Sequence, residues 1–114
     1  MTTLYIAGPM TGLPDYNRPA FNKAQAQLEA AGYRVLNPAR QPDGLSYTEY
    51  MDRGYDDIRQ SDGVALLDGW DESPGANAEV RFADRIAVDA SPLGSWLMQS
   101  IFTKDTPYPS LSLP

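Results

Sequence analysis

The stretch LLDGWDESPGANAEVRFA, residues 66–83, decides the predicted fold of this chain. It continues a short apolar run, residues 64–67, which is typical of a strand covered on both faces of a parallel sheet. The chain then becomes polar, and Ser73 and Pro74 suit the N-cap and first position of a helix that carries Glu79. Open α/β sheets bind ligands beside the carboxyl ends of their strands. This junction is therefore predicted to border a concave pocket.

Apolar patterns on both sides of this stretch predict an alternation of strands and helices. Strands are expected at residues 3–7, 33–36, 63–67 and 86–88. Helices are expected at residues 18–31, from 46 to about 61, at 73–85, and after Pro92 with Trp96, Leu97 and Ile101 inward. This order predicts an α/β fold, a three-layer sandwich with a parallel sheet and right-handed crossovers. Residues 1–104 would form one domain, and residues 105–114 a Pro-rich tail.

Composition narrows the classes of function. The 114 residues suffice for one domain with a single core. The absence of Cys and His from the sequence removes thiol catalysis and the commonest metal ligands. A formal net charge of −6 argues against a long nucleic acid as partner, although backbone amides and an Arg or two can still hold a small anion. With no signal segment and no apolar run of roughly 18 residues, we expect a cytoplasmic protein that uses no metal and no organic cofactor.

The loop after the first predicted strand, GPMTG at residues 8–12, is flanked by glycines. It is open to two interpretations: a plain turn between strand and helix, or a loop whose backbone approaches a ligand. Its spacing matches neither the P-loop nor the dinucleotide-binding fingerprint. The glycine pattern by itself therefore does not separate the two interpretations.

Four short motifs, taken in order, resemble one known family. They are YIAGPMTG at residues 5–12, SDG at 61–63, GW at 69–70, and SPGA at 73–76 followed by Glu79. Together they resemble the nucleoside 2-deoxyribosyltransferase-like superfamily, nearest to its small phage and bacterial members of unknown function. The resemblance covers residues 3–88 and implies a flavodoxin-like sandwich with a four- or five-stranded parallel sheet.

The resemblance also implies a chemistry for Glu79. Nucleoside 2-deoxyribosyltransferases exchange bases on 2-deoxyribose, and the related deoxynucleoside 5'-monophosphate N-hydrolases release the base to water. In both, a glutamate in the helix after the third strand is the nucleophile, and Glu79 matches it. A retaining glycosidase needs such a carboxylate to attack the anomeric carbon, and the positive end of a helix favours its ionised form. The alternative for Glu79 is a solvated helix carboxylate.

By the same resemblance, several further residues would bind the substrate, a small deoxynucleoside or its 5'-monophosphate. Ser73 would contact the 5'-phosphate with the amides of Gly75 and Ala76 beside it, although an N-cap requires the same residue type. Trp70 would wall the base pocket, although large aromatics near strand ends are more often core residues. The floor under the sugar and base would come from Tyr5, Gly8, Pro9, Met10 and Gly12.

One position departs from the family pattern. The relatives carry an Asp eight residues before the Asp that opens the third strand, and counting back from Asp62 gives Gly54. Asp57, on the same helical face, or Asp68, at the strand end, could replace the missing carboxylate. Three functions therefore stay open. The first is an N-glycosidase or deoxyribosyltransferase, the second is a nucleotide-binding protein without turnover, and the third is a small interaction module.

An apolar segment around Trp96 and Met98 is also predicted. This segment, which also includes Phe102, is expected to be exposed, and a chain of this size would bury it against another copy of itself. We therefore expect a homodimer or a higher homo-oligomer.

Overall fold

The structure is a computed structural model that describes residues 1–105. Three 3-10 turns join some of its elements, at Pro14–Asn17, Pro38–Arg40 and Trp70–Glu72. The strands are β1 (Thr3–Ala7), β2 (Arg34–Leu36), β3 (Gly63–Leu66) and β4 (Asp89–Pro92). The helices are α1 (Arg18–Ala30), α2 (Tyr47–Arg59), α3 (Pro74–Arg85) and α4 (Leu93–Asp105). The predicted Pro-rich tail lies outside the described residues, which end at Asp105.

The four strands form one parallel sheet in the order β2-β1-β3-β4. This confirms the predicted α/β fold with a parallel sheet. The chain crosses from β1 to the edge strand β2 and then returns past β1 to β3. The strand order therefore reverses between β1 and β3, whose last residues Ala7 and Leu66 are in register. Doubly wound sheets bind ligands at such a reversal, outside the carboxyl ends of the strands.

Helices cover both faces of the sheet because the side chains of the central strands alternate. On one face, Leu4 and Ile6 of β1 pack with Phe21 of α1 and Trp96 of α4. On the other face, Tyr5 and Ala7 pack in the cluster that contains Ile58 of α2 and Ala83 of α3. The result is the predicted three-layer sandwich, with α2 and α3 on the face that Tyr5 enters. None of the helices in residues 1–105 is long and apolar enough to cross a membrane.

The two helices that border the reversal begin at the residues that the sequence predicts. Ser46 caps α2 by accepting a hydrogen bond from the Glu49 amide at 3.1 Å, and the Glu49 carboxylate accepts one from the Ser46 amide at 2.9 Å. This reciprocal pair satisfies two backbone amides that the helix cannot bond internally. Ser73 caps α3 by accepting from the Ala76 amide at 3.2 Å. Both helix N-termini are thereby fixed at the carboxyl edge of the sheet.

The predicted fourth strand at residues 86–88 is wrong. This segment turns the chain at the end of α3, where the Val88 amide donates to the Ala83 carbonyl at 2.8 Å and the Ala87 amide to the Asp84 carbonyl at 3.2 Å. Ala87 has a φ of 61°, which a strand does not allow. The strand that pairs with β3 is the next segment, Asp89–Pro92. Val88 packs against the core cluster that contains Tyr5, Ile58 and Ala83, which we call the second core cluster. The apolar composition of residues 86–88 reflects this packing and not strand formation.

Trp96 belongs to the core of its own chain. Its indole Nε1 donates to the carbonyls of Val64 at 2.9 Å and Ser91 at 3.1 Å, and the side chain is 7% exposed. It therefore cannot be part of an exposed apolar segment. Ile101 was expected to face inward but is 54% exposed, as is Met98. Homo-oligomer formation stays a prediction, and Met98 and Ile101 are exposed apolar side chains of α4 that support it. The side chain of Phe102, in the same predicted segment, lies outside what the structure describes.

Gly63→Ala should destabilise the protein. A Cβ at position 63 would lie 2.5 Å from the Trp96 ring and 3.1 Å from Leu4 Cδ2, and neither can retreat from a filled core. Overpacking of this kind costs about 1 to 3 kcal/mol in the free energy of unfolding. Chemical denaturation followed by tryptophan fluorescence would measure the cost. Gly94→Ala, at an open position of α4, is the matched control, and equal stability of the two variants would contradict the packing.

Candidate active site

A cavity of about 1210 Å³ opens at the point where the strand order reverses. Its floor comes from the loop after β1, including Gly8 and Met10, and its walls from the N-terminal turns of α2 and α3. Asp68 and Gly69, directly after β3, complete one side. The cavity therefore lies where parallel sheets of this kind place their ligands.

Glu79 reaches the base of this cavity from the second turn of α3, although the residue is only 5% exposed. Its Oε2 accepts a hydrogen bond of 2.5 Å from the hydroxyl of Tyr5, which is fully buried on β1. Tyr5 thus reaches through the core layer to orient a carboxylate of another element. The alternative in which Glu79 is a solvated helix carboxylate does not fit this burial.

The second carboxylate oxygen of Glu79, Oε1, differs from Oε2 in its surroundings. Within residues 1–105 it receives no hydrogen bond, and the same part of the chain holds no buried side-chain oxygen or nitrogen without a partner. Oε1 therefore has accessible surface, and Glu79 lines the cavity. One oxygen is held and the other is available to a ligand.

Burial controls the charge of Glu79. Loss of water raises its pKa from 4.5 to about 7, the Tyr5 hydrogen bond lowers it, and the nearby negative charge of Asp57 raises it. The position near the positive end of α3 was expected to keep the carboxylate ionised, but that effect is small beside desolvation. At neutral pH the ionised and neutral forms are therefore both populated.

Aromatic side chains of α2 form a wall that the sequence analysis did not identify as part of a site. Tyr50 lines the cavity, and its hydroxyl contacts Met10 Sδ and donates to the Pro38 carbonyl at 3.2 Å. Burial, together with the charge of Glu79, raises the pKa of Tyr50 to about 12. Tyr47, about one turn before Tyr50, and Met51, the residue after it, also line the cavity. The helical spacing of Tyr47 and Met51 was visible in the sequence, but it indicates a core face equally well.

The predicted loop after β1 is divided by the structure. Gly8, Pro9 and Met10 line the cavity, whereas Gly12 is exposed and lies outside the lining. A Cβ at position 8 would lie 2.8 Å from Leu67 Cβ, so glycine there is explained by close packing against the end of β3. Gly12 has a φ of 83°, and its glycine serves the turn instead.

The motif at the start of α3 is also divided. Ser73, Gly75 and Ala76 line the cavity, although the Ser73 hydroxyl already caps the helix. Trp70 lies outside the cavity lining and packs against the second core cluster. Trp70 is therefore a partly buried residue at the margin of the core and does not wall the cavity.

Of the two carboxylates considered as replacements at position 54, only Asp68 reaches the cavity. Asp57 is half-buried behind the Glu79 side chain, outside the cavity lining, and burial followed by the charge of Asp56 raises its pKa. Asp57 acts on Glu79 only through its charge. Asp68 is exposed at the cavity edge.

The cavity lining is more acidic than basic. Arg18 is its cation among the described residues, and it already pairs with Asp15 at 2.9 Å and Asp43 at 2.8 Å. Residues 1–105 contain no cluster of three His, Cys, Asp or Glu placed to hold a metal ion. The geometry instead resembles an organic-ligand site with one buried, oriented carboxylate.

A family model described as "Domain of unknown function (DUF4406)" matches residues 2–90. The chain belongs to the DUF4406 family. No curated protein matches this DUF4406 chain.

A solved structure described as a 2-desoxiribosyltransferase from Leishmania mexicana is similar to the DUF4406 chain, with a TM-score of 0.66 at 20% identity. The match covers 81% of the DUF4406 chain and 63% of that structure. At this identity the similarity shows that the deoxyribosyltransferase fold is shared. The DUF4406 chain thus spans less than two thirds of the similar structure's length.

Tyr5→Phe should raise the pKa of Glu79 above about 7, because the hydrogen bond that favours the ionised carboxylate is lost. If Glu79 is the nucleophile, the midpoint of activity against pH rises, and the rate at neutral pH falls by roughly tenfold. A pH profile of base release measures both effects. Tyr55→Phe, in the ring stacked on Phe82 outside the cavity, is the matched control. An unchanged midpoint in Tyr5→Phe would count against the assigned role of Tyr5.

Proposed function

We propose that this DUF4406 protein is an N-glycosidase or deoxyribosyltransferase that cleaves or exchanges the N-glycosidic bond of a 2'-deoxynucleoside or its 5'-monophosphate. The observation that carries the proposal is the Glu79 carboxylate, which is buried at the base of the cavity with Oε2 held by Tyr5 and Oε1 open. The shared deoxyribosyltransferase fold supports it.

In the proposed reaction, Oε1 of Glu79 attacks C1' of the sugar. A C1'–O bond forms while the C1'–N bond breaks, and the bonding electron pair leaves with the base, which takes up a proton. Water then hydrolyses the glycosyl ester, or a second base displaces Glu79, so the configuration at C1' is retained overall. Glu79 must be ionised to attack, and its pKa of about 7 makes this form available at neutral and alkaline pH.

The cavity supports a substrate with an aromatic base and a polar sugar. Its volume exceeds what a nucleoside requires. The rings of Tyr47 and Tyr50 provide apolar surface for a base. Asp68 stands at the cavity edge, where it can contact the leaving base. We assign Asp57 no direct contact with the substrate, because it lies outside the lining.

A second function, nucleotide binding without turnover, is supported by Gly54. The carboxylate that the resemblance expects at this position is absent, and base departure would have to proceed without it. The α3 N-terminus, where Ser73 and Gly75 line the cavity, supports phosphate binding in either function. The Ala76 amide adds nothing to this, because it already donates to the Ser73 hydroxyl.

The test is release of free base from a panel of deoxynucleosides and their 5'-monophosphates, with and without an acceptor base, followed by chromatography. Release without an acceptor indicates hydrolysis, and release that depends on the acceptor indicates transfer. The same compounds are added in thermal-melting experiments to detect binding. A rise in melting temperature without release from any substrate would favour the second function. If no compound releases base and none raises the melting temperature, both proposed functions are contradicted.

A further inference from the structure

Helices α2 and α3 meet where Gly54 faces the Glu79 carboxylate. Gly54 is buried in the middle of α2, and its α-carbon faces the Tyr5–Glu79 pair. A Cβ built at position 54 would collide with Oε2 of Glu79 and lie 2.9 Å from the Tyr5 hydroxyl. Oε2 is the atom that Tyr5 holds. The space that a side chain at 54 would need is therefore occupied by the hydrogen-bonded pair.

We propose that Gly54 is a positioning residue: the absence of a side chain at 54 lets α2 close on Glu79 and keeps its carboxylate against Tyr5. Gly54 does not touch the substrate in this proposal and acts through Glu79. Its meaning for catalysis rests on the proposed function of Glu79. The packing contact itself does not, and can be tested without any turnover.

On the side of the sheet, the packing leaves no space into which the Glu79 carboxylate could move. The titratable groups facing Glu79 are Tyr5 from β1, and Tyr50 and Asp57 from α2. Tyr5 is fully buried and cannot move aside. A side chain at position 54 must therefore drive the carboxylate away from Tyr5, and the cavity is the open space that Glu79 borders. There the carboxylate regains water. Loss of the Tyr5 hydrogen bond acts in the opposite direction, but desolvation is the larger of the two effects, so the pKa of Glu79 falls toward the ordinary value.

This packing also explains why the missing carboxylate is not simply restorable. Gly54→Asp would place its Cβ on Oε2 of Glu79 and bring a like charge against it. We expect Gly54→Asp to lose base release rather than gain it. Glycine at 54 and the buried form of Glu79 thus belong together in this chain.

The first experiment titrates Glu79 by carboxyl carbon NMR in the full chain, with the resonance assigned from its absence in Glu79→Gln. Gly54→Ala should lower the pKa of Glu79 by about one unit or more. Gly94→Ala is the matched control, since it is also a helix glycine but a Cβ there meets nothing within 4 Å. Its Glu79 titration should equal that of the wild type. An unchanged titration in Gly54→Ala would overturn the proposal.

The second experiment protects the test against a variant that does not fold. Gly54→Ala is combined with Glu79→Ala, which removes the carboxylate with which the new methyl group collides. The proposal expects Gly54→Ala to lower the melting temperature less in this background than in the wild type. A Gly54→Ala chain that folds only in the Glu79→Ala background supports the proposal. An equal loss in both backgrounds, or failure to fold in both, overturns it.

These readouts separate the two proposals. A wild-type protein without base release, combined with the expected titration shift, would reject the proposed function and retain the positioning of Glu79 by Gly54. Base release combined with an unchanged titration would do the reverse. If both hold, the midpoint of the activity profile in Gly54→Ala should move to lower pH together with the NMR titration. A structural role alone would not move that midpoint.

Discussion

Glu79→Gln should lower the rate of base release by a factor on the order of 10⁴ or more. The amide has nearly the shape of the carboxylate and can still accept the hydrogen bond from Tyr5, but it cannot act as a nucleophile at C1'. The shape of the cavity and its other substrate contacts should survive, because the substitution changes only the end of one of the lining side chains. The measurement is single-turnover release of base at pH 8.

Asp71→Asn is the matched control for this loss, since it also exchanges a carboxylate for an amide. Asp71 is exposed and lies outside the cavity lining, next to Glu72, which lines it. Its rate should stay near that of the wild type. Thermal melting with a deoxynucleoside should show that Glu79→Gln still binds. A Glu79→Gln protein that releases base at the wild-type rate would contradict the nucleophile assignment.

The second large effect is a change of stability with pH that depends on Glu79. Its pKa is about 7 in the folded chain and near 4.5 when unfolded, so the folded state holds the extra proton between these values. The free energy of unfolding therefore falls as the pH rises from about 4.5 through 7, and levels off above. The loss that Glu79 contributes is about 3 kcal/mol, the free-energy equivalent of its pKa shift.

Urea denaturation of the wild type and Glu79→Gln at several pH values would measure this term. The difference between the two proteins cancels the other carboxylates, which titrate in both. Relative to Glu79→Gln, the wild type should lose most of this stability, roughly three quarters of the total, between pH 5 and pH 8. A difference that stays constant across this range would show that Glu79 is solvated in the folded protein.

Sequence patterns were sufficient for the layers of this fold. The apolar run at 64–67 predicts a strand buried on both faces, and the β-rich run at 3–7 predicts another strand. The structure confirms both. Ser46 and Ser73 marked the helix starts because capping is a local hydrogen-bond requirement. The prediction of a fourth strand at residues 86–88 was wrong because this segment has the composition of a strand but forms the turn that ends α3. Ala87 adopts a φ of 61° in this turn, and an alanine in the sequence does not indicate such a conformation as a glycine would.

The candidate site was predicted in part. Glu79, Ser73 and the start of the loop after β1 were identified from a family resemblance, and the structure brings them to one cavity. Trp70 and Gly12 fall outside it, because Trp70 packs against the core and Gly12 lies in an exposed turn. The wall formed by Tyr47 and Tyr50 was missed, since aromatic residues at helical spacing indicate a core just as well as a pocket.

The sequence by itself determined where the first three strands and the helices form, because these depend on spacing and on capping within a few residues. It also placed a carboxylate in the second turn of α3. Only the tertiary structure decided the state of that carboxylate. Tyr5 lies 74 positions away in the chain, and Gly54 approaches Glu79 only because α2 packs against α3. Desolvation of a charge depends on everything around it in space, so the raised pKa of Glu79 is a property of the folded chain.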